Sequence, residues 1–233
     1  MEKHGYRDLA HIYDIVNQNK DYSRETDFLE KLFRDRKIET ILDVGCGTGT
    51  HMKLLEEKGF ECNGVDLNQE MLEVAREKVK GELIQADMKN FDLNKKYDAV
   101  TCLFAAFNHL KNREEAKKAL KCFKKHLNEK GFLLIDLHNP QRDGEKYKNF
   151  GDVEIKMKWK YDSETKKEHT KTTFKVKGKE IMDEHTLRIY SIDEMKEMLE
   201  ETGFSVQKIY EDFTSNPASS RSKNIEILSK AKN

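Results

Sequence analysis

The stretch ILDVGCGTGTH, residues 41–51, runs a mostly apolar, strand-like segment, Ile41–Val44, directly into glycines at 45, 47 and 49. A buried strand that breaks into so glycine-rich a turn, and then opens a helix, lets the backbone approach a ligand where any Cβ would collide. In an open α/β sheet that ligand lies outside the carboxyl ends of the strands. An ordinary tight βα turn would also tolerate these glycines, so the meaning of the turn depends on what surrounds it.

Outward from this turn, short apolar runs alternate with amphipathic stretches from Ile38 to Leu137, the rhythm of βαβ units around a parallel sheet. Strands are expected at 39–44, 61–66, 82–86, 97–104 and 131–137. The helices between them have legible ends. One starts near Thr48 and stops at Gly59, one is capped by Asn68 and ends before Gly81, and one starts at Asn112 with Glu115 three residues on.

After Pro140 the period changes to two: VEIKMKWKY (153–161) alternates apolar and polar residues, and 169–177 and 180–190 follow less cleanly. These predict an antiparallel sheet inserted at 141–189. A helix then begins at the Ser191/Glu194 capping box and ends at Gly203, and two strands, 205–213 and 223–229, pair as a terminal hairpin. The fold class is therefore α/β, with an N-terminal helical lid over 1–37, a core of 38–140 and 190–233, and the insertion between its halves.

Composition narrows the function. Lys plus Arg equals Asp plus Glu at 43 each, so no nucleic-acid or acidic-membrane partner is expected. The longest uncharged apolar stretch, 99–107, is too short to span a bilayer, and the first residues lack the apolar core of a signal peptide. Cys46, Cys62, Cys102 and Cys122 form no C-x-x-C pair, which suits reduced thiols in a cytoplasmic protein. The histidines at 4, 11, 51, 126, 169 and 185 show no metal-ligand spacing, and no metal is expected.

The glycine spacing removes two phosphate-binding loops. Gly45, Gly47 and Gly49 make G-x-G-x-G, with Thr50 where a dinucleotide loop carries its third glycine, and the lone Gly-Lys pair, 178–179, is followed by Glu180. The next two strand ends add carboxylates. Asp66 in GVDLN is placed to accept from a ribose diol, and Asp87 beside Met88 suits the exocyclic amine and ring face of adenine.

Together ILDVGCGTG, GVDLN, ADM and YDAVTCLFAAFNHL, in this order over about residues 38–138, resemble the motifs of class I S-adenosylmethionine-dependent methyltransferases. The resemblance implies a Rossmann-like sheet of seven strands with the last antiparallel, and S-adenosylmethionine as cofactor. It implies that Gly45, Cys46, Gly47, Thr48 and Gly49 cradle the methionine part, that Asp66 holds the ribose with Leu67 and Met71 nearby, and that Asp87 and Met88 hold the adenine. Leu103 and Phe104 would lie against the sulfonium. The segment 103–106 (LFAA) lacks the Asn/Asp-Pro-Pro-aromatic run of base-methylating enzymes.

Ahead of the first strand, LAHIYDIVNQNKDY is similar to the lid of small-molecule methyltransferases, which makes Tyr13 and Tyr22 cofactor-contacting candidates. The insertion resembles the substrate-covering sheet of aminosugar N,N-dimethyltransferases. A small-molecule acceptor, such as an amine, is the expected partner, and a homodimer is compatible with the chain. Tyr13 and His138, just beyond the fifth strand, are the candidate catalytic residues. The alternatives are a nicotinamide-dependent reductase and a binder of the cofactor without turnover.

Overall fold

The structure is a computed structural model that describes residues 10–139 and 143–232. The expected boundary at Pro140, the first nine residues of the lid and His4 lie outside the described residues. The chain forms a seven-stranded sheet and a four-stranded one.

In the large sheet the strands are β1 (Thr40–Val44), β2 (Glu61–Asp66), β3 (Leu83–Gln85), β4 (Tyr97–Cys102), β5 (Leu127–His138), β10 (Phe204–Glu211) and β11 (Asn224–Ala231), in the order β10-β11-β5-β4-β1-β2-β3. β1 through β5 are parallel, and β11 runs antiparallel to both β5 and β10. The order reverses at β1, whose neighbours are β2 and β4, so the crevice for a ligand opens at the carboxyl end of β1, above Gly45.

Helices cover both faces because the central strands are apolar on both. Ile41 faces a layer with Leu29, Phe33, Met52 and Leu55 from α2 (Tyr22–Arg34) and α3 (Thr50–Glu57). Leu42 and Val44 face the opposite layer, with Leu120 and Phe123 from α5 (Arg113–Lys125) and Met195 and Leu199 from α6 (Ile192–Glu201). The expected caps form: Asn68 Oδ1 accepts from the N–H of Glu70 and Met71 ahead of α4 (Gln69–Arg76), and Ser191 Oγ accepts from Glu194 N–H. Gly59 and Gly203 take positive φ just past their helices.

α3 starts two residues later than expected. Gly49 sits at φ 75 as its N-cap, and the Thr48 hydroxyl is bonded elsewhere, to Asp14. β5 is also longer than expected, beginning at Leu127.

The small sheet is β6 (Gly144–Asn149), β7 (Val153–Asp162), β8 (Lys167–Val176) and β9 (Lys179–Arg188), all antiparallel in sequence order. β6 is absent from the sequence reading. Its GEKYKN has no apolar face, Tyr147 is exposed, and as an edge strand it is held by main-chain pairing to β7, with Lys148 Nζ donating to the Val16 carbonyl. Val153, Ile155 and Phe174 pack with Ile12 and Val16 of α1 (Ala10–Val16), so the inserted sheet leans on the N-terminal helix.

Candidate active site

A cavity of about 1060 Å³ opens at the carboxyl ends of β1, β2 and β4, large enough for a nucleoside-sized ligand with room beside it. Gly45, Cys46, Gly47 and Thr48 form one wall, Asp66, Leu67 and Met71 a second, and Asp87 with Met88 a third. Tyr13, Tyr22, Leu103 and Phe104 close the remaining side.

Gly49 is the exception. A Cβ there would lie 2.9 Å from Val79 Cγ1 and 3.2 Å from Ala75 Cβ, so this glycine lets α3 pack against the end of α4 and does not line the cavity. The other two glycines differ from each other. At Gly45 (φ 78) a Cβ would meet Ala106 Cβ at 2.6 Å, whereas Gly47 (φ 56) has open space around it. Gly47 thus leaves a stretch of bare backbone facing the cavity, the cradle that an amino-acid ligand needs.

Asp66 is held rigidly. Its Oδ2 accepts from Gly47 N–H and its Oδ1 from Asn68 N–H, each at 2.8 Å. Each carboxylate oxygen keeps a further lone pair, so the group still accepts hydroxyls from the cavity. Burial raises its pKa, against which the backbone N–H bonds act. The Cys46 thiol is pushed well up by burial and by Asp43 and Asp66, which removes it as a nucleophile. The residues present therefore fit an adenosyl amino acid: a bare backbone cradle, a diol acceptor at Asp66 and, on the third wall, Asp87 beside the Met88 thioether.

Thr48, on the cavity wall, also reaches the lid. Its hydroxyl donates to Asp14 Oδ1 at 2.6 Å, and Lys78 Nζ pairs with Asp14 Oδ2 at 2.6 Å, so α1 is tied across the glycine turn. The aromatic side is continuous: the Tyr13 and Phe104 rings meet edge-on at 6.5 Å, and Tyr22 lies 6.4 Å from Phe104.

Tyr22 also packs on His51, 4.9 Å between ring centres, and the buried His51 donates from Nε2 to Glu25 Oε2 at 2.8 Å. His51 carried no signal in the sequence beyond its type, because its partner lies on another helix, 26 residues upstream.

His138 is not on the cavity wall. It stands at the end of β5 beneath the inserted sheet, with Nε2 3.1 Å from Glu168 Oε2, while Glu168 Oε1 accepts from the Thr170 hydroxyl. The inserted sheet turns a polar face inward here. Glu168, Thr170, Thr172 and Asp183 are all buried, and Asp183 pairs with His185 at 2.8 Å. His185 in turn meets the ring of His109, a cavity residue, at 5.7 Å. Burial, and then the nearby His185, pull the His109 pKa down to about 4, so its imidazole is neutral at pH 7. None of these insertion residues was singled out from the sequence, since strand alternation alone reads Thr170 or Asp183 as solvent-facing.

Among the described residues no group of His, Cys, Asp and Glu is arranged to hold a metal, and no helix is long and apolar enough to cross a membrane.

Residues 16–209 match the family described as "Methyltransferase domain". YqeM of Bacillus subtilis strain 168, provisionally named a methyltransferase, is 29% identical over 235 residues, 94% of each chain. The dTDP-3-amino-3,6-dideoxy-alpha-D-glucopyranose N,N-dimethyltransferase of Streptomyces fradiae is 34% identical over 134 residues, 55% of this chain and 52% of that one. Among solved structures, an S-adenosylmethionine-dependent methyltransferase from Clostridium acetobutylicum ATCC 824 superposes with a TM-score of 0.86 at 24% identity, covering 98% of this chain and 99% of that one. The reductase alternative finds no support in these likenesses. The chain belongs to the methyltransferase domain family and is a class I S-adenosylmethionine-dependent methyltransferase.

Proposed function

We propose that the protein methylates the nitrogen of a small polar amine that enters between the inserted sheet and the cofactor cavity. The observation that carries this is the buried polar face of β8 and β9, with Glu168, Thr170, Thr172 and Asp183, set over His138 and beside His109. A purely structural sheet would bury apolar side chains there, as it does at Val153, Ile155 and Phe174. The Streptomyces fradiae relative, named for an amino sugar nucleotide, supports an amine acceptor.

When bound, S-adenosylmethionine supplies a methyl group open to in-line displacement, and the chain's part is to position the acceptor and exclude water. In this reading Gly45, Cys46 and Gly47 hold the amino-acid end, Asp66 the ribose, and Asp87 with Met88 the adenine. Leu67, Met71, Leu103 and Phe104 pack around it, and Tyr13 and Tyr22 close the lid. An ammonium acceptor must first lose a proton. In this reading His138 takes it at Nδ1 while Nε2–H donates to Glu168, whose carboxylate stabilises the imidazolium that results. Tyr13, from the lid, orients the acceptor.

The test is transfer of a labelled methyl group to a panel of small amines and their hydroxyl analogues. Amines are methylated and the analogues are not. Methylation of the hydroxyl analogues alone, by protein that binds S-adenosylhomocysteine, overturns the amine assignment.

A further inference from the structure

Lys20 lies in the turn between α1 and α2, and its ammonium is enclosed rather than solvated. It stands 4.8 Å from the ring centre of Tyr22, 4.7 Å from Phe104 and 5.8 Å from Phe213, and it pairs with the buried Glu25. Three aromatic faces and a carboxylate are the elements of a cation-binding cage.

The walls of this cage are unusual. Phe104 and Phe213 both have φ of 52, a left-handed backbone that bulky residues seldom adopt. Phe213 is fixed in it by a buried carboxyl group: its N–H donates to Glu226 Oε2 at 3.0 Å. Asp136 and Glu226 face each other across β5 and β11, and are 4% and 0% exposed. Asp136 Oδ1 and Glu226 Oε1 have no hydrogen-bond partner among the described residues. Backbone strain and unsatisfied buried oxygens persist where a function maintains them.

The cage also opens onto the site. Tyr22 and Phe104 line the cofactor cavity. Asp136 lies two residues before His138 on β5 and so on the same face of that strand, and carboxyl oxygens stand behind the cage in excess of what one lysine satisfies. A lysine serving only to pin the lid would need the Glu25 pair and nothing more.

We propose that this cage is the subsite for an alkylammonium group of the acceptor, and that Lys20 is its resting occupant, displaced when the acceptor binds. Its place in catalysis rests on the amine-methylating reading above, whereas the binding itself does not. Lys20 is suited to exchange because it sits in a turn outside both helices, on a flexible stem, and leaves the cage without breaking regular structure.

The experiment measures binding of n-butylammonium, which matches the lysine side chain, and of its neutral analogue 1-butanol, to wild type and to Lys20→Ala by proton NMR titration. Lys20→Ala binds n-butylammonium at least tenfold more tightly than wild type, neither protein binds 1-butanol comparably, and adding Phe213→Leu to Lys20→Ala removes the gain. Lys20→Ser is the second variant, with the same expectation, should the alanine form fail to fold. Equal affinity of wild type and variant for n-butylammonium, or equal binding of 1-butanol, overturns the proposal. Calorimetry with S-adenosylhomocysteine runs in parallel: cofactor binding without cage binding sinks the cage alone, and cage binding without cofactor binding sinks the methyl-transfer reading alone.

Discussion

The carboxylate of Asp14 and the hydroxyl of Thr48, 34 residues apart, meet at 2.6 Å and fasten the N-terminal helix to the glycine turn. The same carboxylate takes Lys78 from the end of α4, so one side chain joins the lid to both helices that flank the cavity. Asp14→Ala is expected to weaken S-adenosylhomocysteine binding about tenfold, the scale of one lost charge-assisted hydrogen bond at a part-exposed site. Calorimetry checks this, and unchanged affinity would remove the lid from cofactor retention.

Asp66→Ala should weaken cofactor binding on the order of a hundredfold, because it deletes the diol acceptor and also frees the Gly47 and Asn68 N–H groups that shape the cradle. Asp66→Asn separates the two contributions, since the amide oxygen retains one of those N–H bonds. An alanine variant with native affinity would dismiss the ribose assignment.

Gly45 and Gly47 make opposite predictions. Gly45→Ala destabilises the fold by about 1–3 kcal/mol in urea unfolding, because its methyl meets Ala106 and its φ is positive. Gly47→Ala has room around its methyl and costs only about 1 kcal/mol for the left-handed backbone, yet it narrows the cradle and impairs cofactor binding. If Gly47→Ala binds as tightly as wild type, no ligand approaches that backbone.

His138→Gln is expected to lower the rate of methyl transfer by about 10²-fold or more while leaving S-adenosylhomocysteine affinity unchanged, since its ring lies off the cavity wall. A variant whose pH–rate profile still shows the ionisation of the wild type would assign the proton to another group.

Stability should fall as pH rises. Burial holds the Asp136 pKa up at about 6, and burial with the neighbouring Asp136 charge holds Glu226 up at about 8. The fold therefore binds more protons than the unfolded chain between ordinary carboxylate values and about 8, and this stabilisation is complete below the unfolded pKa and lost as pH passes through the folded one. Glu226→Gln, neutral throughout, should flatten the dependence between pH 5 and pH 8 in thermal unfolding. An identical slope in the variant would place the proton uptake elsewhere.

Much of this was legible along the chain because it is local. Strand alternation, caps such as Asn68 and Ser191, and glycines after helices depend on residues a few positions apart, and the motif order that marks the cofactor fold is itself linear. β6 escaped because an exposed edge strand needs only its neighbour's main chain, and no apolar period betrays it.

The sequence by itself determined the α/β class, the glycine turn and the carboxylates at successive strand ends, because each is written in short-range spacing. Tertiary structure alone decided that Thr48 serves Asp14, that Gly49 packs a helix, that His138 meets Glu168, and that Lys20 lies among Tyr22, Phe104 and Phe213. Those partners come from distant elements, and the burial that gives them their chemistry exists only once the sheets and the lid have closed around them.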